Sequence, residues 1–209
     1  RMNNAIMGFS NLYFYKSELV ADDSVSEQLL HNDSTSYLSA SIEFIDTAGC
    51  AFDEIQNPET LSHSNPKEGE ILFKHLEQLL FDYSSIANLP LLDVGIISPY
   101  KEQREWLKEK VLEQNFDKSK LHSLSIKTID GFQGEEKDVI YITLVRSNER
   151  QEIGFLNDLR RMNVAITRAK KKLVVIGDSA TIGSNPFYKS FLEYCEEHGM
   201  YRTAWEWNL

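Results

Sequence analysis

Short apolar runs alternate with amphipathic, helix-length stretches through the middle and later parts of this 209-residue sequence, and no other feature limits its fold as tightly. Asp93-Val94-Gly95-Ile96-Ile97-Ser98 is a short apolar run; Pro99 ends it, and a charged amphipathic stretch from Tyr100 to Gln114 follows. Leu124-Ser125-Ile126-Lys127, Asp138 to Val145 and Lys172 to Gly177 predict three further strands, with a helical pattern over 154–169 between the last two. A shorter β-leaning run, Ser41 to Ile45, lies upstream. Strands alternating with helices imply an α/β fold, a mostly parallel sheet with helices on both faces. In such sheets ligands gather outside the carboxyl ends of the strands, which is where chemistry is expected.

Asn65-Pro66-Lys67-Glu68 reads as a helix start, with Asn65 as cap, Pro66 at the first helical position and Glu68 returning the capping-box contact. Ile71, Leu72, His75, Leu76, Leu79 and Leu80 then recur at three- and four-residue spacing, one buried face. Asn185 to Leu209 carries another apolar-periodic helix, whose aromatic residues are assigned to packing on the sheet. The length suits one large α/β domain over residues 1–209. Residues 21–40, rich in Ser, Asp and Asn, are expected to be a poorly ordered surface loop or insertion.

The net charge of −10 argues against binding nucleic acid through bulk electrostatics. The balance is uneven, however: residues 1–99 hold 4 Lys/Arg against 15 Asp/Glu, and residues 100–178 hold 16 against 13, so phosphate chemistry is expected in the middle section. Apolar runs such as Leu173 to Ile176 are too short to span a bilayer, and no signal peptide is visible. Cys50 and Cys195 lie far apart without metal-ligand spacing, as in a protein of the reducing cytoplasm.

Three segments carry residue types suited to phosphate chemistry. Ser98-Pro99-Tyr100-Lys101-Glu102-Gln103 follows a strand. Lys127 to Asp138 forms a polar turn with Gly131 and Gly134, in which Thr128 and Gln133 offer neutral donors and Glu136 an acceptor suited to a ribose hydroxyl. No segment ends in the Gly-Lys-Ser/Thr of a phosphate loop. The third, Arg160-Arg161-Met162-Asn163-Val164-Ala165-Ile166-Thr167-Arg168-Ala169-Lys170, places Arg161 and Arg168 two turns apart on one helix face. Read alone, it is equally a basic helix end that complements the helix dipole.

Taken together, the pattern is more specific. Arg160 to Lys170, followed by an apolar strand ending Gly177-Asp178, closely resembles motif VI of superfamily 1 helicases, in particular the nonsense-decay-type branch. Thr128 to Asp138 resembles motif V of that branch, and Ile97 to Gln103 its motif IV region. Arg1-Met2-Asn3 resembles the tail of a Gln-Tyr-Arg-Met-His/Asn motif, and Ile6, Phe9-Ser10 and Phe14-Tyr15 continue the likeness.

The resemblance implies a RecA-like fold and the role of a second motor domain, which clamps ATP against a first RecA-like domain of the same polypeptide. That first domain would lie before Arg1 and hold the phosphate loop and most of the Mg²⁺ contacts. Carried over by position, Arg168 is the expected arginine finger and Arg1 a second γ-phosphate contact. Glu136, Gly134, Gln133 and Arg161 would complete the ATP side. Tyr100, Thr128, Ser147 and Asn163 would face single-stranded DNA or RNA, mainly its backbone. No resident metal site, membrane contact or obligatory oligomer is expected, and the chain by itself should be inactive. The alternative is a non-catalytic helicase-like interaction scaffold; a nuclease finds no supporting carboxylate and lysine cluster.

Overall fold

The computed structural model describes residues 2–15, 18 and 23–207. In chain order the elements are α1 (Asn4–Phe14), α2 (Asp23–Ser26), β1 (Ile42–Asp46), β2 (Ile55–Gln56), β3 (His63–Ser64), α3 (Pro66–Ser84), β4 (Leu92–Ile97), α4 (Lys101–Lys110), β5 (Leu121–Lys127), β6 (Lys137–Thr143), α5 (Leu159–Ile166), β7 (Ala169–Gly177), α6 (Ser179–Ile182), α7 (Pro186–His198) and β8 (Met200–Thr203). Six strands form one sheet in the order β5-β4-β6-β7-β1-β8, and every neighbouring pair is parallel. The two short strands β2 and β3 form a separate antiparallel hairpin. The architecture is RecA-like α/β.

Alternation along the central strands divides the core. Ile42 and Phe44 of β1, Ile140 and Ile142 of β6, and Leu173 and Val175 of β7 pack on one face with Ile6, Phe9, Ala165, Phe187 and Phe191 from α1, α5 and α7. Ile45, Val139, Tyr141, Val174 and Ile176 meet Leu72, Leu76, Leu79 and Leu107 from α3 and α4 on the other. Burying these side chains supplies the main driving force for docking the helices. Charge is also buried on this second face. Glu43 pairs with Lys172 at 2.8 Å and with His75 at 3.2 Å, while His75 Nδ1 lies 2.8 Å from the Tyr141 hydroxyl. Burial alone would raise the Glu43 carboxyl, but Lys172 and His75 hold it well below the usual range.

Helix α3 begins as the cap signals predict: the Asn65 side chain accepts from Glu68 N–H at 3.1 Å, with Pro66 in the first turn. Its six predicted core positions, Ile71, Leu72, His75, Leu76, Leu79 and Leu80, are all buried. Glu68 departs from the expected capping box. The Asn65 N–H donates instead to Gln103 Oε1 at 2.8 Å, and the Glu68 carboxylate turns inward.

The helical pattern over 154–169 is likewise divided into a 3-10 turn, Gly154–Asn157, and α5. Thr167, with ψ near 6°, ends α5, so Arg168 lies in the turn before β7, one residue beyond the helix cap. Within 21–40, the described part holds α2, a 3-10 turn at Tyr37–Ser39 and two buried anchors, Leu30 and Leu38. Among the described residues no helix is long and apolar enough to cross a membrane.

Candidate functional site

The chemistry expected at the carboxyl ends of the strands is divided between both edges of the sheet. Because β5 and β6 are both parallel to β4, the loop after Lys127 must run from the carboxyl end of β5 to the amino end of β6. Thr128 therefore sits at one edge, while Gly134 and Glu136 sit at the other. Arg168, just ahead of β7, joins the amino edge, where the Lys137 N–H donates to its carbonyl at 3.0 Å.

At the amino edge the Arg168 guanidinium is partly exposed and held by main-chain oxygens. Its Nε donates to Val164 O at 3.0 Å and its Nη1 to Glu135 O at 3.2 Å, so one side chain ties the end of α5 to the glycine loop. The donor to Val164 lies four residues on, which also satisfies a terminal carbonyl of α5. Gly134 has φ +83°, and a Cβ there would meet nothing within 4 Å, so its backbone faces open space in a conformation that favours glycine. Gln133 and Glu136 beside it are exposed. Arg161 reaches Asp130 at 3.3 Å and Asp158 at 3.5 Å, and so braces α5 against the same loop. The Asn3 N–H donates to Lys170 O at 3.1 Å, which brings the start of α1 to this edge. The site role expected of Arg1 falls outside the described residues.

The carboxyl edge is built from buried polar groups. Glu68 receives the Val145 N–H on both oxygens, at 3.0 and 3.1 Å, and shares a hydrogen bond with the Thr143 hydroxyl. Burial pushes its carboxyl up to about 8. Val145 has φ +73°, a left-handed conformation that is a marked outlier for a β-branched residue. Asn65 Nδ2 donates to Val145 O at 3.2 Å, so both backbone groups of the strained residue are pinned.

The turn at Val145 delivers the next residues to Glu54. Glu54 Oε2 accepts from Arg146 Nε and from Ser147 N–H, each at 2.8 Å, and from Asn148 Nδ2 at 3.1 Å. Burial works against its charge, but these donors outweigh it and hold the carboxyl below its usual value. The Ser147 hydroxyl donates to Asp178 Oδ2 at 2.8 Å, and Arg146 Nη1 lies 3.4 Å from the Tyr100 hydroxyl. Three adjoining clefts open at this edge. One of about 520 Å³ is lined by Arg146, Gly154, Asn157 and Asn185, a second of about 440 Å³ by Thr47, Phe52, Ser147 and Asp178, and a third of about 370 Å³ by Glu54, His63 and Arg150.

The structure thus gathers Arg168, Gly134, Gln133 and Glu136 at one edge, and Tyr100, Thr128 and Ser147 at the other, while Arg161, in the first turn of α5, pairs with Asp130 on the loop that runs between them. Tyr100 is only 2% exposed and Ser147 9%. Asn163 reaches neither edge as a free donor: it is 9% exposed beneath α1, with Nδ2 3.4 Å from the Tyr15 hydroxyl. Glu54, Glu68 and Arg146 escaped sequence reasoning. Glu68 is masked by its capping-box spacing, and Glu54 lies 92 positions from Arg146. Among the described residues no group of three or more His, Cys, Asp or Glu is placed to hold a metal ion.

A family model described as an AAA domain matches residues 1–180. DNA-binding protein SMUBP-2 of Rattus norvegicus is 36% identical over 99% of this chain, which covers 20% of that protein. The DNA polymerase alpha-associated DNA helicase A of Saccharomyces cerevisiae is 39% identical over 95% of this chain and 30% of its own length. An uncharacterized ATP-dependent helicase of Methanocaldococcus jannaschii is 33% identical over 95% of this chain and 29% of its own length. The chain therefore spans less than a third of each of these relatives. Family match and sheet topology agree, and the chain belongs to this AAA-domain family, in the nonsense-decay-type branch of the superfamily 1 helicases.

Proposed function

We propose that this chain is the second motor domain of an ATP-dependent DNA or RNA helicase, with its amino edge turned to a shared nucleotide and its carboxyl edge to a single strand. The observation that carries this reading is the placement of Arg168 beside the open backbone of Gly134, where the helicase-like motifs V and VI meet at one edge. A planar, permanently charged fork suits phosphate oxygens, and held at an edge it can reach a nucleotide bound mainly by another domain. Glu136 would take the ribose hydroxyls, with Gln133 and Arg161 flanking the nucleotide.

No phosphate loop occurs in the 209 residues, so the γ-phosphate cradle belongs to a partner RecA-like domain of the same polypeptide. Among the described residues no group of three or more His, Cys, Asp or Glu could hold a Mg²⁺ ion, which the partner domain would bind. ATP closes the two domains, and the carboxyl edge, with Thr128 and the amides of Gln151, Asn157 and Asn185 in its cleft, tracks the strand through backbone contacts. An acidic chain can serve this purpose because a narrow row of donors replaces a broad basic surface.

Arg168→Ala in the full-length protein should abolish strand-stimulated ATP hydrolysis while nucleotide affinity, read by calorimetry, stays near wild type. Wild-type turnover in that variant would refute the assignment. The isolated chain should hydrolyse no measurable ATP; tight stoichiometric ATP binding by it would place the phosphate site within these residues.

A further inference from the structure

Resting on the nucleic-acid reading above, we propose that Phe155 is a base-stacking platform for single-stranded nucleic acid at the carboxyl edge. Its ring is 65% exposed, although the flanking Ile153 and Leu156 are buried. The 3-10 turn Gly154–Asn157 enforces that contrast. Leu156 N–H donates to Ile153 O at 3.1 Å, Asp158 N–H to Phe155 O at 3.1 Å, and the Tyr188 hydroxyl to Leu156 O at 2.8 Å, so the backbone on either side of Phe155 is fixed. Gly154, at φ +52°, lets the turn lie directly on the Arg146 guanidinium and the Tyr100 hydroxyl, which a Cβ would strike. Phe155 is presented outward by a rigid support.

The ring also has a firm base. Its centroid is 5.6 Å from that of Tyr100, and Tyr100 in turn packs 5.4 Å from His63. Tyr100, expected from sequence to meet the strand, is buried in this stack, and the exposed aromatic surface at its position is that of Phe155. The adjoining cleft mixes Arg146, Gln151, Glu152, Asn157 and Asn185 with the apolar Ile153 and Pro186 along its walls. A lone exposed aromatic ring beside a cleft of mixed character does not make the contiguous apolar patch of a protein interface. It does match a nucleotide of a single strand, whose flat base stacks on the ring while its backbone meets the amides of Gln151, Asn157 and Asn185, and such stacking is indifferent to base identity.

The test uses the full-length protein with unstructured DNA and RNA oligonucleotides in separate anisotropy titrations across a salt series. Phe155→Ala should weaken strand binding about 5- to 150-fold, while Phe155→Trp stays within about threefold of wild type. The slope of affinity against salt should be unchanged in Phe155→Ala, because stacking releases no counterions. An oligonucleotide with abasic positions should bind wild type less well and bind Phe155→Ala no worse than the intact strand does. Equal affinity of Phe155→Ala and wild type, or the same loss with the abasic strand as with the intact one, overturns the stacking assignment alone. Failure of the wild type to bind any strand overturns the nucleic-acid reading and this assignment with it.

Discussion

Val145 at the carboxyl edge and Arg168 at the amino edge are each held by hydrogen bonds with their neighbours, but of different kinds and in different surroundings. The Val145 N–H is received by a fully buried carboxyl group, with a second buried side chain on its carbonyl. The Arg168 guanidinium leans on main-chain carbonyls at a partly exposed edge. A strained backbone persists only where buried partners over-determine it. A charge meant for a ligand must stay near solvent on shallow anchors, because deep pairing would have to be undone each time the ligand arrives. The carboxyl edge is accordingly a fixed scaffold, and the amino edge a partly exposed surface anchored through main-chain carbonyls.

The sharpest way to break that contrast is Arg168→Ala, which should reduce strand-stimulated turnover by roughly 10³- to 10⁵-fold and lower the melting temperature by only a few degrees, for the lost main-chain hydrogen bonds. A melting temperature that drops as for a core substitution would make Arg168 a structural cap. At the other edge Glu68→Ala should cost about 3 kcal/mol of stability, since it strands the Val145 N–H and leaves a cavity. Chemical denaturation measures it, and a loss below about 1 kcal/mol would mean that Val145 needs no clamp.

Glu68→Gln sharpens the same point through pH. The folded protein holds the Glu68 proton up to about 8, against an ordinary value of 4.5. The contribution to stability is therefore complete below that ordinary value, declines as pH rises between the two, and is lost above the folded one. Urea midpoints followed across this range should lose that slope in Glu68→Gln; parallel profiles for the two proteins would show that Glu68 does not titrate there. The smallest effect belongs to Arg161→Ala, whose exposed pairs with Asp130 and Asp158 should be worth less than about 0.5 kcal/mol in denaturation midpoints. A loss several times larger would make the loop that crosses between the two edges part of the fixed scaffold.

What the sequence disclosed follows from how locally each feature is encoded. The central strands β4, β6 and β7 are buried on both faces, so each reads as an apolar run, and α3 carries both a cap signal and a periodic face. Strand β8, Met200–Thr203, sits at the sheet edge and is partly exposed, and its four residues form no apolar run. Val145 reads as strand because it is apolar, while its left-handed turn depends on Glu68 and Asn65, 77 and 80 positions away. Arg168 reads as helical because its spacing from Arg161 and Ala165 fits, yet Thr167 ends the helix first. The motif segments were visible as segments. Their division between two edges was not, because it arises from the direction in which a loop crosses a parallel sheet.

The anchoring of Arg168 through carbonyls at positions 135 and 164 has a consequence for how this surface tolerates change. Every amino acid contributes a main-chain oxygen, so replacing the Glu135 or Val164 side chain leaves both acceptors in place. Drift in the side chains around the guanidinium can then retune reach, charge or partner without dislodging it. The immovable part of the arrangement is the path of the chain, set where the end of α5 and the loop after Gly134 come together.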